Sequence, residues 1–486
     1  MDQLIDNNSK LDHLTKGTMA GHPIFEILTN VHMFVINFSR TSSVHGFIYL
    51  MNRGLHFTER LLWAVCICTA IYGTASLAQR TWNRFQTNPI VISMDRDKFA
   101  WNTTFPSLTV CPHKRIDPDK VDDYIKMFPH KFPTKEERDD FQYFMDVVST
   151  VSYENLHRLE PVRNRTFGIT GDDYLDLISN MSSSYKPEVS SGTVAKMYVQ
   201  ETVTEMGICF STNSKVSVYN DYNYWKRNRW DLIKPNNTVY VHQLDGEIYA
   251  QLINLSSAYE VYFHGAMEVA DISKHRYSFG ALDYTTVELL GLETLTSANA
   301  RDLTVSQRQC RYTHESEIMM TSPIYSFNLC TRECRMRLAS RICGCFPHFY
   351  RSRGRRNEKL GNICDIQGLL CLMTIKDELI TLKSNKMKIN CKCLANCDDS
   401  SFFVQDYRSR PWFLGANLQW GISNYPKMQL KRDLIFGFTD LLVYIGGMLG
   451  LFLGVSLLSI TECIYFFTWR IIKHFYNENA KEKLLL

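Results

Sequence analysis

The sequence has none of the common catalytic signatures. It contains no HExxH pair of zinc-binding histidines, no glycine-rich phosphate loop placed after a strand, and no G-x-S-x-G turn to raise a serine nucleophile. Nothing therefore points to an enzyme, and neither a resident metal nor a cofactor is expected. Cationic charge is not gathered into a stripe, and 54 Lys and Arg against 50 Asp and Glu leave a net charge of only +4 over 486 residues. That argues against a nucleic-acid partner. The first 30 residues are polar, and acidic at the very start, so no cleavable secretory leader is expected there. Disorder is excluded too, because 45% hydrophobic and 21% charged residues is a globular composition.

What the chain does have is two long uncharged runs. Leu441 to Thr461 is 21 residues without a charge, long enough as a helix to cross a hydrocarbon core of roughly 30 Å. Leu61 to Gln79 is a second run, of 19 residues, bracketed by Arg60 and Arg80. In the first of these Gly446, Gly450 and Gly454 recur every four residues, Gly447 adjoins Gly446, and Ser456 and Ser459 follow. Such a face lets two backbones approach closely in lipid, which is the pattern of a dimerising membrane anchor. A pore is the sharper reading. Gly454-Val455-Ser456 can unwind locally, and carbonyls freed from a helix are tolerated where they line an aqueous cavity and can replace part of an ion's water shell. Glu462 at the inner edge is costly unless it faces water or a partner.

Twelve of the fifteen cysteines lie between these runs: Cys111, Cys209, Cys310, Cys330, Cys334, Cys343, Cys345, Cys364, Cys371, Cys391, Cys393 and Cys397. An even, clustered set reads as disulfides in an oxidising compartment. Zinc ligation by Cys343-Gly-Cys345 and Cys391-Lys-Cys393 is the weaker reading, since no histidine accompanies them at finger spacing. Sequons at Asn102, Asn164, Asn180, Asn236 and Asn254 fall in the same segment and, with the cysteines, place it outside the cell. Cys66, Cys68 and Cys463, in or beside the runs, are expected to be reduced. Both termini are then cytosolic.

Along the chain, alternating residues from Pro89 suggest a strand leaving the membrane, and Phe105 to Pro112 a second strand. Residues 117 to 186 read as helical patches on a solvated outer face, and residues 207 to 298 as short strands forming a sheet core. Ten of the twelve external cysteines then fall within the 88 residues from Cys310 to Cys397. That density means either a rigid transmitting element or plain stabilisation, the plainer of which is preferred. Inside it, Arg353-Gly354-Arg355-Arg356 matches the R-x-R-R pattern of proprotein convertases, although a solvated basic loop is the simpler reading.

These motifs together resemble the degenerin and epithelial sodium channel family, within it the insect pickpocket branch, over nearly everything from His45 to Glu462. The resemblance rests on His45-Gly46 before the first run, FPSLTVCP at 105 to 112 and Tyr325-Ser326 ahead of the C-x3-C-x8-C-x-C series starting at Cys330. It rests also on C-x-C-x3-C at Cys391 and on GLFLGVSLLSITE at 450 to 462. It implies an α+β membrane protein in which two transmembrane helices flank a disulfide-rich extracellular domain, a β palm and β ball with a helical finger and thumb. The implied boundaries are a cytosolic N-terminus at 1–59, a first span at 60–79, the extracellular domain at 80–434, a pre-pore segment and second span at 435–467, and a cytosolic tail at 468–486.

By the same resemblance the disulfides would be Cys111–Cys209, Cys310–Cys397, Cys330–Cys393, Cys334–Cys391, Cys343–Cys371 and Cys345–Cys364. Gly454, Val455 and Ser456 would form the selectivity filter, and His45 and Gly46 the cytosolic gating motif. Asp440, Val443, Tyr444, Gly446, Gly447, Gly450 and Glu462 would line or gate the pore. Na⁺ is the implied permeant ion, amiloride the blocker, and a homotrimer or a heterotrimer with related subunits the assembly, gated by an unidentified extracellular ligand or force. Three positions depart from the family. Val443 stands where a small residue is usual, a bulk expected to favour basal opening; Tyr444 replaces a frequent acid; and Asp440 has no counterpart, so three copies would ring the vestibule or simply mark the membrane edge. The rival readings are a subunit that conducts only in a heteromer, and a two-span adhesion or chemoreceptor protein without a pore.

Overall fold

A computed structural model describes residues 38, 44–50, 52, 54–184, 186–191, 196–234, 238–255, 257–385 and 388–470. Asn236 lies outside the described residues, as do most of 1–59 and all of 471–486. Contacts divide the chain into two compact units, residues 1–89 with 435–486, and residues 90–434.

In residues 90–434 two sheets enclose one core. The larger runs in the order Ile90–Asp95, Gln429–Leu434, Asp283–Thr296, Ala416–Asn424, Ile248–Leu255, Glu188–Ser191, with Asp399–Pro411 also paired to Asp283–Thr296. The second runs Tyr277–Phe279, Tyr259–His264, Ser107–Pro112, Gly207–Thr212, Val199–Thr204. The long strand Asp283–Thr296 shows why these segments are strands. Thr285, Val287, Leu289, Gly291 and Glu293 are buried while the residues between them are more exposed, the period of two that one covered face requires. Val287 and Leu289 pack with Phe105, Leu108, Val110 and Trp420, and the Trp420 indole nitrogen donates to the Pro106 carbonyl at 3.1 Å. The ring thereby fills the core without leaving its polar atom unpaired.

A second core is built by helices. Thr134 and Glu137 form a capping box that starts the helix Lys135–Ser149, as T-x-x-E ahead of an apolar run requires. The segment is more than a solvated outer element. Phe141, Phe144, Met145 and Val148 recur at helical spacing and are buried against Phe132, Tyr153 and Phe349. The charged residues of KEERDD belong to its opposite face and dominated the expectation. The helix Phe327–Cys343 is capped by the Ser326 hydroxyl and ends at Gly344, whose φ of 72° is cheap only for glycine. From this helix and its flanks run the bridges Cys330–Cys393, Cys334–Cys391, Cys343–Cys371 and Cys345–Cys364, with Cys310–Cys397 alongside and Cys111–Cys209 joining two strands of the second sheet.

Among its described residues the other unit holds one helix long and apolar enough to cross a membrane, Phe57–Thr87. It extends the uncharged run at both ends, and His56 caps its start. The uncharged run Leu441–Thr461 is not one continuous helix but unwinds at Gly454-Val455-Ser456, where the sequence allowed it. Phe438–Leu453 ends at Gly454, Leu457 starts a second helix, and the two are bent by 76°. The pair satisfies the length and composition of a single broken span.

Candidate functional site

The break is built from glycine upward. Gly454 has φ 62° and ψ 21°, the left-handed conformation that a side chain disfavours by about 1–2 kcal/mol. Its N–H donates to the Gly450 carbonyl at 3.0 Å, and the Val455 N–H to the Leu449 carbonyl at 3.2 Å. These two bonds close the first helix. Ser456 opens the next, its hydroxyl accepting from the Ser459 N–H at 3.2 Å while its own N–H donates to the Ser459 hydroxyl at 3.3 Å. A helix break of this kind leaves few orphan groups, because each end is capped within four residues.

One of the remaining groups is taken by a segment from far away in the chain. The His45 N–H donates to the Leu453 carbonyl at 3.1 Å. A Cβ placed on Gly454 would overlap the His45 imidazole. Gly46 has φ 89°, and a Cβ there would stand 3.1 Å from the Ile67 side chain. Both glycines therefore allow close approach, one of imidazole to backbone and one of backbone to the helix Phe57–Thr87. Tyr49 stacks on Trp63 with ring centroids 4.4 Å apart, and Phe38 lies 5.0 Å from Phe466, so residues on each side of His45 are also seated. The structure thus brings His45 and Gly46 together with Gly454. Sequence spacing carried no sign of that contact.

The other predicted residues are placed less closely. Among the described residues a Cβ at Gly446 or Gly447 would meet no atom within 4 Å, and one at Gly450 only the Val455 carbonyl at 4.0 Å. Packing among the described residues does not require these glycines. Val443 is 73% exposed and Tyr444 58%, the latter with its ring 5.4 Å from Phe436. The Asp440 carboxylate accepts from the Gly437 N–H at 2.8 Å, closing the first turn of the helix it belongs to. Glu462 sits on the helix Leu457–Tyr465, partly exposed. Asn102, Asn164, Asn180 and Asn254 are exposed, as a modified side chain must be. Cys66, Cys68 and Cys463 are free thiols.

Residues 90–434 hold a second set of polar groups that composition did not flag. The Arg335 guanidinium, buried in the middle of the cysteine-bearing helix, binds Glu205 at 2.8 Å and both oxygens of Asp271 at 2.9 and 3.0 Å. Its Nε donates to the Leu379 carbonyl at 2.9 Å, and the Tyr350 hydroxyl donates to Glu205 at 2.6 Å. The arginine holds Asp271 below the usual carboxylate range despite burial. Glu268 is different. It is buried and accepts from the Ser326 hydroxyl at 2.6 Å, the Asn328 N–H at 3.1 Å and the Asn396 amide at 2.5 Å, with no cation among these partners. Burial pushes it up to about 7. His264 is buried beside it in sequence, and burial lowers it to about 4. Its Nδ1–H donates to the Gly265 carbonyl at 2.9 Å, a bond that works against the shift, so burial is what keeps the ring neutral.

Comparison with known proteins agrees with these features. The chain is 21% identical over 488 residues to sodium channel protein Nach of Drosophila ananassae, covering 92% of this chain and 89% of that one. It is 26% identical over 208 residues to Nach of Drosophila virilis, a match that spans about half of that relative, 52%. Pickpocket protein 28 of Drosophila melanogaster is 19% identical over 90% of this chain and 78% of its own length. The amiloride-sensitive sodium channel family matches residues 38–466, from just before His45 to just beyond Glu462. The chain belongs to that family of ion channels and is not an enzyme.

Proposed function

We propose that the chain is a subunit of a trimeric, sodium-selective, amiloride-blocked cation channel of the plasma membrane. In this reading residues 80–434 face outward, residues 60–79 and 435–467 cross the membrane, and both termini, 1–59 and 468–486, are cytosolic. An extracellular stimulus, chemical or mechanical, opens it. The observation that carries the reading is the helix break at Gly454. In lipid an interrupted helix is stable only where its backbone faces water or protein, so a capped break inside an apolar pair of helices suits the wall of an aqueous path. Carbonyls and the Ser456 hydroxyl at that break supply oxygen to a partly dehydrated cation. Gly446, Gly447 and Gly450, which no atom of the described residues crowds, suit the close approach of further copies about a common axis. Asp440, Val443 and Tyr444 then stand at the outer mouth, Glu462 at the inner one, and His45-Gly46 braces the break from the cytosolic side.

The test is whole-cell current in cells expressing this chain alone, with Na⁺ exchanged for K⁺, before and after amiloride. A Ser456→Cys variant is treated with a thiol reagent, and the native chain with its three free thiols serves as the control. Ser456 is preferred to Gly454 for the cysteine, because any side chain at Gly454 displaces His45 and confounds access with distortion. A Na⁺-preferring, blockable current that the reagent alters only in the variant supports the reading. Surface expression without current points instead to a subunit that conducts only with a related partner. Absence of current with every such partner favours the adhesion or chemoreceptor alternative.

A further inference from the structure

Two arginines buried in residues 90–434 are fully compensated. Arg335 binds Glu205 and Asp271, and Arg308 binds Glu315 together with the carbonyls of Cys310, Arg301 and Leu303. Arg351 has no such partners. It is 2% exposed, and its Nη2 donates to the Arg229 carbonyl at 2.8 Å and the Asn228 side chain at 3.3 Å. Among the described residues its Nε and Nη1 have no hydrogen-bond acceptor. Aromatic rings hold the rest of the group: the guanidinium lies 4.6 Å from the Trp230 ring centroid and 5.5 Å from that of Tyr224. A buried cation in this state is costly, because charged hydrogen bonds are what offset its desolvation. Arg351 lines a cavity of about 360 Å³, within the size range that small ligands use. Two ion pairs belong to the same wall, Lys359–Asp172 at 3.1 Å and Lys226–Asp176 at 2.6 Å, so both carboxylates are already neutralised. Arg353, exposed on that wall, reaches among the described residues only the neutral Asn357 side chain, at 3.1 Å. Arg351 and Arg353 are thus two cations in excess. Part of the wall is apolar: Leu175 and Trp225 are buried, and the Trp225 indole nitrogen is spent on the Tyr219 carbonyl at 2.7 Å.

We propose that this cavity binds a small organic carboxylate, an acid with an aromatic or branched apolar body of the size of benzoate. The carboxylate supplies the acceptor that Arg351 lacks and pairs with Arg353, in hydrogen bonds of the strong, charge-assisted kind. The body packs on Leu175 and Trp225, where it gains by leaving water. An amine is disfavoured, because Asp172 and Asp176 each already hold a lysine. An inorganic anion would serve Arg351 and leave the apolar wall unused. The site lies wholly within residues 90–434 and needs neither a pore nor a particular orientation in a membrane, so it does not depend on the channel reading.

The experiment is saturation-transfer NMR of benzoate with the purified full chain in lipid nanodiscs, empty discs serving as the blank. Benzoate is expected to take up saturation to a plateau in the millimolar range. Benzyl alcohol, which has the same ring without the charge, should show no more than the blank. Arg351→Lys keeps a cation but loses the planar guanidinium, and should weaken binding about tenfold or more. Arg353→Gln, at an exposed position, should weaken it several-fold, and it decides the matter if the Arg351 variant fails to fold. Arg355→Gln, also exposed but not part of the cavity wall, should change nothing. The proposal is overturned by the absence of a saturable benzoate signal, or by equal binding of benzyl alcohol. It is overturned also by an affinity that a folded Arg351→Lys leaves unchanged, or that Arg353→Gln leaves unchanged where the first variant does not fold. Displacement of benzoate by inorganic phosphate at equal concentration overturns it in favour of a site for inorganic anions. Current plays no part in these measurements, so a chain that binds benzoate and conducts nothing counts against the channel reading alone.

Discussion

All twelve cysteines of residues 90–434 are paired, whereas the three in residues 1–89 and 435–486 are free. The first unit also buries large aromatic cores and a charged arginine with two carboxylates; the second leaves Leu61, Tyr72, Val443 and Leu451 exposed and places glycines where the backbone must bend. One unit is fixed by restricting its unfolded chain and filling its interior. The other has no disulfide and leaves much apolar surface exposed, with its second helix broken at Gly454 and held there by caps on either side. That division separates a unit held by its own covalent bridges from a unit of a membrane channel whose apolar surface its own fold leaves uncovered.

Removing a bridge should break the comparison most strongly. Cys310 and Cys397, fully buried, close a loop that the intact Cys330–Cys393 bridge shortens to roughly 25 residues, for which the chain-entropy account gives about 3–4 kcal/mol. The Cys310→Ala/Cys397→Ala variant is expected to lower the unfolding free energy read from tryptophan fluorescence by that amount, with the helical circular dichroism of Phe57–Thr87 retained. Replacing Cys66, Cys68 and Cys463 by alanine should shift neither. Equal losses in the two cases would mean that the free thiols also hold structure.

A smaller effect separates two buried carboxylates of the outer unit. Asp271 has its arginine and Glu268 has only neutral donors. With Glu268 raised from 4.5 to about 7, the folded state holds its proton more tightly than the unfolded one. The stability this contributes is fully present below about pH 4.5 and is lost as pH rises through 7, a change of about 3 kcal/mol at most. His264 and His348 act oppositely at lower pH, since burial lowers both to about 4, and Glu333 acts in the same sense as Glu268. The difference between the native chain and Glu268→Gln cancels their shares. Measured by urea unfolding, the variant should gain on the native chain between pH 5 and pH 8. A pH-independent difference would show that Glu268 ionises normally.

Much of this arrangement was legible in the residues, for reasons that differ by place. Strands such as Ile90–Asp95 and Ser107–Pro112 announced themselves by alternation and by the proline and cysteine that bound them. Gly454 was visible as a point of weakness, because glycine in an apolar helix has few purposes. The bend of 76° and the seating of His45 against Leu453 were not, since a contact across some four hundred residues leaves no local period. Arg335 and Glu268 escaped for a related reason. A charged side chain reads as surface until its partners are known, and Glu205, Asp271 and Ser326 come from three separate stretches. The aromatic stripe of Lys135–Ser149 was masked by the charges on its other face.

Asp440 gives the finest test of the contrast, because it stands in the unit that relies on caps. Its carboxylate accepts from the Gly437 N–H, and Gly437 itself has no side chain with which to cap the helix. Alanine at 440 should therefore cost about 1 kcal/mol, through the lost bond and the lost negative charge beside the helix N-terminus. Asparagine keeps an acceptor oxygen in the same place and discards the charge, so the two substitutions part the structural role from the electrostatic one. If the carboxylate acts only as a cap, Asp440→Asn should retain thermal stability and single-channel conductance, while Asp440→Ala lowers the first. If three carboxylates gather cations at the outer mouth, both variants should lose conductance at low ionic strength and recover it as salt screens the field. Loss of conductance in Asp440→Ala alone would assign the effect to the first turn of the helix, and would make the negative charge incidental to conduction.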